Sequence, residues 1–105
     1  MGIGQEIEKR LQWLAELSRD DQGGVTRLLY SPEWRNSQNS LKNWIESLGL
    51  EAYFDETGNL YALLEGEKPG VIMTGSHVDT VRGGGMSDGQ YCIVAGLLAL
   101  SKPKE

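Results

Sequence analysis

Between Gly70 and Ser101 only four side chains are acidic or basic: His77, Asp79, Arg82 and Asp88. All four fall inside GSHVDTVRGGGMSDG, residues 75–89, with apolar chain on either side. Before the stretch, Val71-Ile72-Met73-Thr74 is apolar without alternation, the pattern of a strand buried on both faces of a sheet. After it, YCIVAGLLALS (Tyr91 to Ser101) carries no charge and reads as a buried helix. A buried strand, a glycine-rich polar loop and a buried helix in succession constrain the chain to an α/β arrangement. In open α/β sheets, ligands gather outside the carboxyl ends of the strands. His77 leaves that end and Asp88 stands at the start of the helix, so the location itself favours a site.

The rest of the chain supplies what must cover these elements. Ile3, Ile7, Leu11, Leu14 and Leu17 recur at helical spacing with charged residues between them, an amphipathic helix that ends in the loop 18–24. A second helix has a defined start: Ser31 can cap, Pro32 suits the first helical position, and Glu33 favours the helix dipole. Trp34, Leu41, Trp44, Ile45 and Leu48 share its apolar face, and Gly49 is a natural stop. Leu50 to Phe54 and Leu60 to Glu65 read as two strands of a hairpin around the turn 55–59. The predicted order is therefore α-α-β-β-β-α, with the helices packed on a small mixed sheet. There is no internal repeat or interdomain linker, and residues 1–105 read as one domain.

Fifteen acidic against ten basic residues give a formal charge of −5. This argues against nucleic acid or an anionic membrane as partner, since both need a basic face. The longest nearly uncharged run is too short to span a bilayer, and the N-terminus lacks the apolar core of a secretory signal. A single cysteine, Cys92, excludes an intrachain disulfide framework and fits a reducing compartment. These features predict a cytoplasmic location.

Three chemistries compete for the polar stretch. In one, His77 and Asp88 bind a divalent metal, while Asp79 accepts the other ring N–H of His77 and fixes its tautomer. In a second, Gly83-Gly84-Gly85 forms an anion nest assisted by Arg82, although Asp79 and Asp88 would repel a phosphate. In a third, His77 and Asp79 join Ser76 or Ser87 in a hydrolytic triad, but the GxSxG elbow is missing. A hydrogen-bonded structural His–Asp pair among turn glycines is the alternative to all three. Cys92 reads as a small core residue.

GSHVDTVRGGGMSDG followed by YCIVAGLLAL resembles the first metal-binding segment of the M20-type binuclear metallohydrolases. Within them it is most similar to the branch of allantoate amidohydrolase and N-carbamoyl-L-amino-acid hydrolase. GGVTRLLYSPEW and FDETGNLYALLEG look like the same branch, so the resemblance covers nearly the whole chain. It implies the N-terminal portion of a zinc-peptidase-like catalytic domain. His77 would then be a ligand of one metal, Asp88 the carboxylate bridging two, and Asp79 the catalytic-site residue that orients His77. It also implies two zinc or manganese ions, and a small-molecule substrate cleaved at a linear amide or ureido C–N bond.

Departures from the family pattern are local at Gly83, Met86, Ser87 and Cys92, and large in length. The family's general-base glutamate and remaining ligands lie downstream of the matching region, as does its inserted dimerisation domain. A catalytic zinc usually has three protein ligands. The chain by itself is therefore expected to bind metal weakly and to lack hydrolase activity. Two roles follow: one segment of an amidohydrolase completed by a downstream partner fragment, or a non-catalytic module that self-associates or binds protein. Apolar faces that later elements of the family fold would cover favour a homo-oligomer.

Overall fold

The computed structural model describes residues 2–102. Its elements run α1 (Ile3–Glu16), α2 (Pro32–Ser47), β1 (Glu51–Phe54), β2 (Leu60–Leu63) and α3 (Gln90–Ser101). The α/β class and the sequence of elements agree with expectation except at one position, residues 71–74.

Local chemistry explains the boundaries of α2. Ser31 is extended, and its Oγ accepts from the Trp34 N–H at 3.2 Å, with Pro32 in the first turn where its missing N–H costs nothing. At the far end Gly49 turns left-handed at φ 80°. There the Leu50 N–H donates to Ile45 O at 3.3 Å and the Gly49 N–H to Glu46 O at 3.0 Å, a Schellman closure. Leu50 is buried immediately afterwards, which locks the exit of the chain into the hairpin.

β1 and β2 pair antiparallel with Glu51 opposite Leu63 and Phe54 opposite Leu60. The in-register pair Tyr53 and Tyr61 stacks at 5.1 Å with ring planes 13° apart. Asp55 holds the turn, accepting from the Thr57 and Asn59 amides at 3.0 and 2.9 Å and from Asn59 Nδ2 at 2.9 Å. The turn docks on the start of α2. Gln38 Nε2 donates to Gly58 O at 2.7 Å, and the Tyr30 hydroxyl donates to Thr57 O at 2.9 Å.

The core is Leu11 and Leu14 of α1, Leu41 and Trp44 of α2, Val94 and Leu98 of α3, and Val78 from the polar loop. Val78 is the one loop residue among them, so the loop is pinned into the helical core at the position next to His77. Arg10 covers the rim of this core, with its guanidinium 4.4 Å from the Trp44 ring centroid and 5.1 Å from that of Trp13.

Four expectations are corrected. The stretch Val71–Thr74 is not a strand, and the sheet among the described residues is two-stranded and antiparallel rather than mixed. Val71, Ile72 and Met73 are 80, 102 and 73 % exposed, so the apolar run is not buried on either face. A strand exists only by pairing, and β1 and β2 pair with each other, leaving this run without a ladder among the described residues. The helix α3 is present but only one face of it is buried, through Gln90, Val94, Leu98 and Ser101. Tyr91, Cys92 and Ala99 are exposed. Cys92 is thus an exposed thiol rather than a core residue.

Candidate metal site

The polar stretch 75–89 is held by backbone contacts with a segment far away in sequence. The Thr80 N–H donates to Arg27 O at 2.8 Å, and the Arg27 N–H donates to Thr80 Oγ1 at 2.8 Å. Further on, Val25 and Gly84 exchange both N–H···O bonds, at 2.9 and 2.8 Å. Gly83 N–H donates to Thr26 Oγ1 at 2.9 Å, and the Thr26 hydroxyl donates to Asp20 Oδ2 at 2.7 Å. That last bond is the largest reason why the Asp20 carboxyl sits below its ordinary range. The amides of Gly83 and Gly84 are therefore consumed within the protein, which removes the anion nest from contention.

His77 makes its contacts within this frame. Its Nδ1 lies 2.9 Å from the backbone oxygen of Asp79 and 3.4 Å from Asp79 Oδ1. Oxygens of both kinds only accept, so Nδ1 carries a proton, and in the neutral ring Nε2 keeps its lone pair. The shorter partner is the backbone carbonyl rather than the carboxylate that sequence reasoning singled out. Among the described residues no hydrogen bond joins His77 to Ser76 or Ser87, so a hydrolytic triad has no geometric support.

The ring faces the start of α3. A Cβ built on Gly89 would lie 2.5 Å from His77 Cε1, 2.6 Å from Nε2 and 2.6 Å from the His77 carbonyl oxygen. Only glycine fits there, and its φ of 77° is also one that L residues rarely adopt. Gly89 is the N-cap of α3, and Asp88, exposed, is the residue before it. The free imidazole nitrogen thus lies beside the chain turn that carries Asp88.

This arrangement suits one end of a divalent-cation site: an imidazole whose Nδ1 is engaged and whose ring abuts the backbone turn that carries Asp88. It does not make a whole one. No group of three or more His, Cys, Asp and Glu side chains able to hold a metal comes together among the described residues.

Sequence reasoning missed two residues beneath the loop. Arg27 is fully buried and, among the described residues, has no carboxylate partner. Its Nε donates to Ser18 Oγ at 2.9 Å, its Nη1 to Val78 O at 3.0 Å and its Nη2 to Leu14 O at 2.6 Å. Burial pulls the guanidinium down from its ordinary value to about 10, still far enough above neutrality to leave it cationic. Leu14 O is among the last carbonyls of α1, whose final turn contains no basic residue of its own. Arg27 supplies the missing cation from across the fold. From the other side Gln90 Nε2 donates to Val78 O at 3.1 Å and to His77 O at 3.4 Å, while its Oε1 is buried without a partner among the described residues. The available signals were an arginine in the apolar run Val25–Leu29 and an amide at the head of an apolar helix.

No sequence-family profile matches the chain. Individual proteins do. It is 50 % identical over 98 residues to allantoate amidohydrolase of Escherichia coli, covering 91 % of this chain and 24 % of that protein. Against allantoate amidohydrolase of Bacillus subtilis it is 44 % identical, covering 100 % of this chain and 26 % of the relative. Against the N-carbamoyl-L-amino acid amidohydrolase of Geobacillus stearothermophilus it is 36 % identical over 90 % of this chain. The fold superposes on a crystal structure of a hydantoinase/carbamoylase family amidase from Burkholderia ambifaria with a TM-score of 0.87 at 30 % identity, covering 92 % of this chain and 24 % of that one. Sequence and fold together make the chain a homologue of the allantoate and N-carbamoyl-L-amino-acid amidohydrolases, spanning about a quarter of their length.

Proposed function

We propose that the chain is the N-terminal, metal-binding segment of an amidohydrolase that cleaves linear amide or ureido C–N bonds in allantoate or an N-carbamoyl-L-amino acid. It acts as a single partial domain in the cytoplasm. His77 serves as ligand of one metal, Asp88 as the bridging carboxylate, and Asp79 as the residue that orients His77. Zinc or manganese would supply a polarised substrate carbonyl and a water activated near neutral pH.

The chain's own residues do the preparatory work. Asp79 holds the Nδ1 proton, so that Nε2 presents a lone pair. Gly89 lets α3 begin directly against that nitrogen. Val78, buried in the core, prevents the loop from swinging. The single observation that carries the reading is the His77 ring held by Asp79 on one side and abutting Gly89, next to Asp88, on the other.

Two protein ligands fall short of a catalytic site, so activity requires residues from outside this chain. The test is hydrolysis of allantoate and of N-carbamoyl amino acids with added manganese or zinc. The chain alone should be inactive, and the chain with the complementary three quarters of a relative should be active. Activity that survives His77→Ala and Asp88→Ala in the complemented mixture would refute the assignment.

A second reading rests on the exposed run Val71-Ile72-Met73: the chain persists as a non-catalytic module that self-associates through this surface. Light scattering that shows a monomer at high concentration would exclude it.

A further inference from the structure

The two residues beneath the loop do more than fill space. Val78 O receives two donors, Arg27 Nη1 at 3.0 Å and Gln90 Nε2 at 3.1 Å, which occupy both of its lone pairs. Arg27 is anchored in turn to Leu14 O and Ser18 Oγ at the end of α1, and Gln90 belongs to the first turn of α3. Ser18 Oγ lies 3.2 Å from Ser37 Oγ, which extends the connection to α2. The peptide between Val78 and Asp79 is thus gripped from two helices, and the grip is charge-assisted on the arginine side. That peptide joins the two halves of the His77 contact: the ring belongs to the residue before Val78, and the oxygen its Nδ1 meets belongs to the residue after it.

We propose that Arg27 is a positioning residue for His77, fixing through the Val78 carbonyl the backbone turn that holds the imidazole in its Nδ1–H tautomer with Nε2 presented to a ligand. Its role in metal capture rests on the reading above that His77 is a metal ligand; its role in the tautomer does not. A lysine ammonium lacks the planar fork by which the guanidinium spans its three acceptors, so Arg27→Lys keeps the charge and loses the clamp. Groups that orient a ligating histidine are typically worth about ten- to a hundred-fold in metal affinity.

The experiment uses the 105-residue chain, with ¹⁵N-labelled histidine, at about pH 8, where a free imidazole is neutral. The ring nitrogen shifts of its single histidine give the tautomer directly in metal-free protein, and cobalt(II) titration gives affinity and the ligand-field spectrum. The Nδ1–H form is expected to dominate in the parent chain. Arg27→Lys should move the ratio towards the Nε2–H form and weaken cobalt binding about tenfold. Ile45→Ala, a core deletion on α2, should lower stability while leaving both readouts in the folded protein unchanged.

If Arg27→Lys does not fold, Ser18→Ala, which removes the acceptor of Nε, should show the tautomer shift in smaller measure. An unchanged tautomer in folded Arg27→Lys, or in Ser18→Ala where that variant stands in, overturns the proposal whatever happens to cobalt. Cobalt binding that is indifferent to His77→Ala instead refutes the metal-site reading, and the tautomer still decides the role of Arg27.

Discussion

Gly89→Ala is the sharpest perturbation the site offers, because two independent costs fall on one methyl group. The backbone there has φ 77° and ψ −34°, outside the regions that an alanine occupies readily. Holding a side-chain-bearing residue in such a conformation costs about 1–3 kcal/mol. The added Cβ would also stand 2.5–2.6 Å from the His77 ring and from the His77 carbonyl oxygen. The ring can rotate away, but the carbonyl belongs to backbone fixed by Val78 in the core, so a further cost of about 1–3 kcal/mol from overpacking follows. Together these reach about 2–6 kcal/mol against a total stability of about 5–15 kcal/mol for a typical domain. Urea unfolding followed by tryptophan fluorescence is the assay, since Trp13, Trp34 and Trp44 all border the core. Gly85→Ala is the control, for a Cβ there meets nothing within 4 Å and its φ is not positive. The control should stay within about 0.5 kcal/mol of the parent chain. If Gly89→Ala matches it, His77 does not pack against the head of α3, and the geometry of the candidate site is wrong.

Three further outcomes are expected. Ser31→Ala removes the side-chain acceptor at the start of α2 and should lower stability by about 1 kcal/mol in the same assay. Asp20 and Asp55 are both held below the ordinary carboxylate value of 3.8, chiefly by the Thr26 hydroxyl and the Asn59 side-chain amide respectively. A depressed folded value means the unfolded chain takes up protons first. Their contribution is therefore complete above about pH 5 and lost as pH falls below about 4. Urea midpoints measured down to about pH 2 should decline on that limb, and Asp55→Asn should flatten part of the decline; a flat profile for the parent chain would contradict it. Ile72→Asp places a charge at the centre of the exposed apolar run and should reduce any self-association seen by light scattering without changing the unfolding midpoint.

Elements with local causes were legible in the sequence. The cap at Ser31, the stop at Gly49, the hairpin around Asp55 and the start of α3 each depend on residues within a few positions of one another, and each stands where it was expected. The run Val71–Thr74 failed for the opposite reason. Its apolar pattern reports what would bury it, but a strand is defined by hydrogen-bonding partners, and these are set by chain elsewhere. The same limit applied to the site. His77, Asp79 and Asp88 are candidates on residue type and spacing, whereas Arg27 and Gln90 act through a shared acceptor that lies 51 and 12 residues away from them respectively.

The way the loop is held bears on how a site of this kind retains its shape. Metal-binding loops are often ordered by the ion itself, so that folding and binding are one event. Here the loop is ordered from beneath. Val78 is part of the helical core, its carbonyl is bonded to α3 and to a cation seated at the end of α1, and Thr80 and Gly84 are tied by backbone to Arg27 and Val25. None of these bonds involves the groups that would meet a metal. An imidazole presented by such a frame keeps its direction before the ion arrives, which lowers the ordering cost of binding and leaves the affinity limited by the number of ligands. The frame and the ligand count are separable. Restoring the missing ligands should raise metal affinity by far more than stabilising the fold does, and a stabilising substitution on α2 that instead raised cobalt affinity severalfold would show that the loop is not ordered in advance.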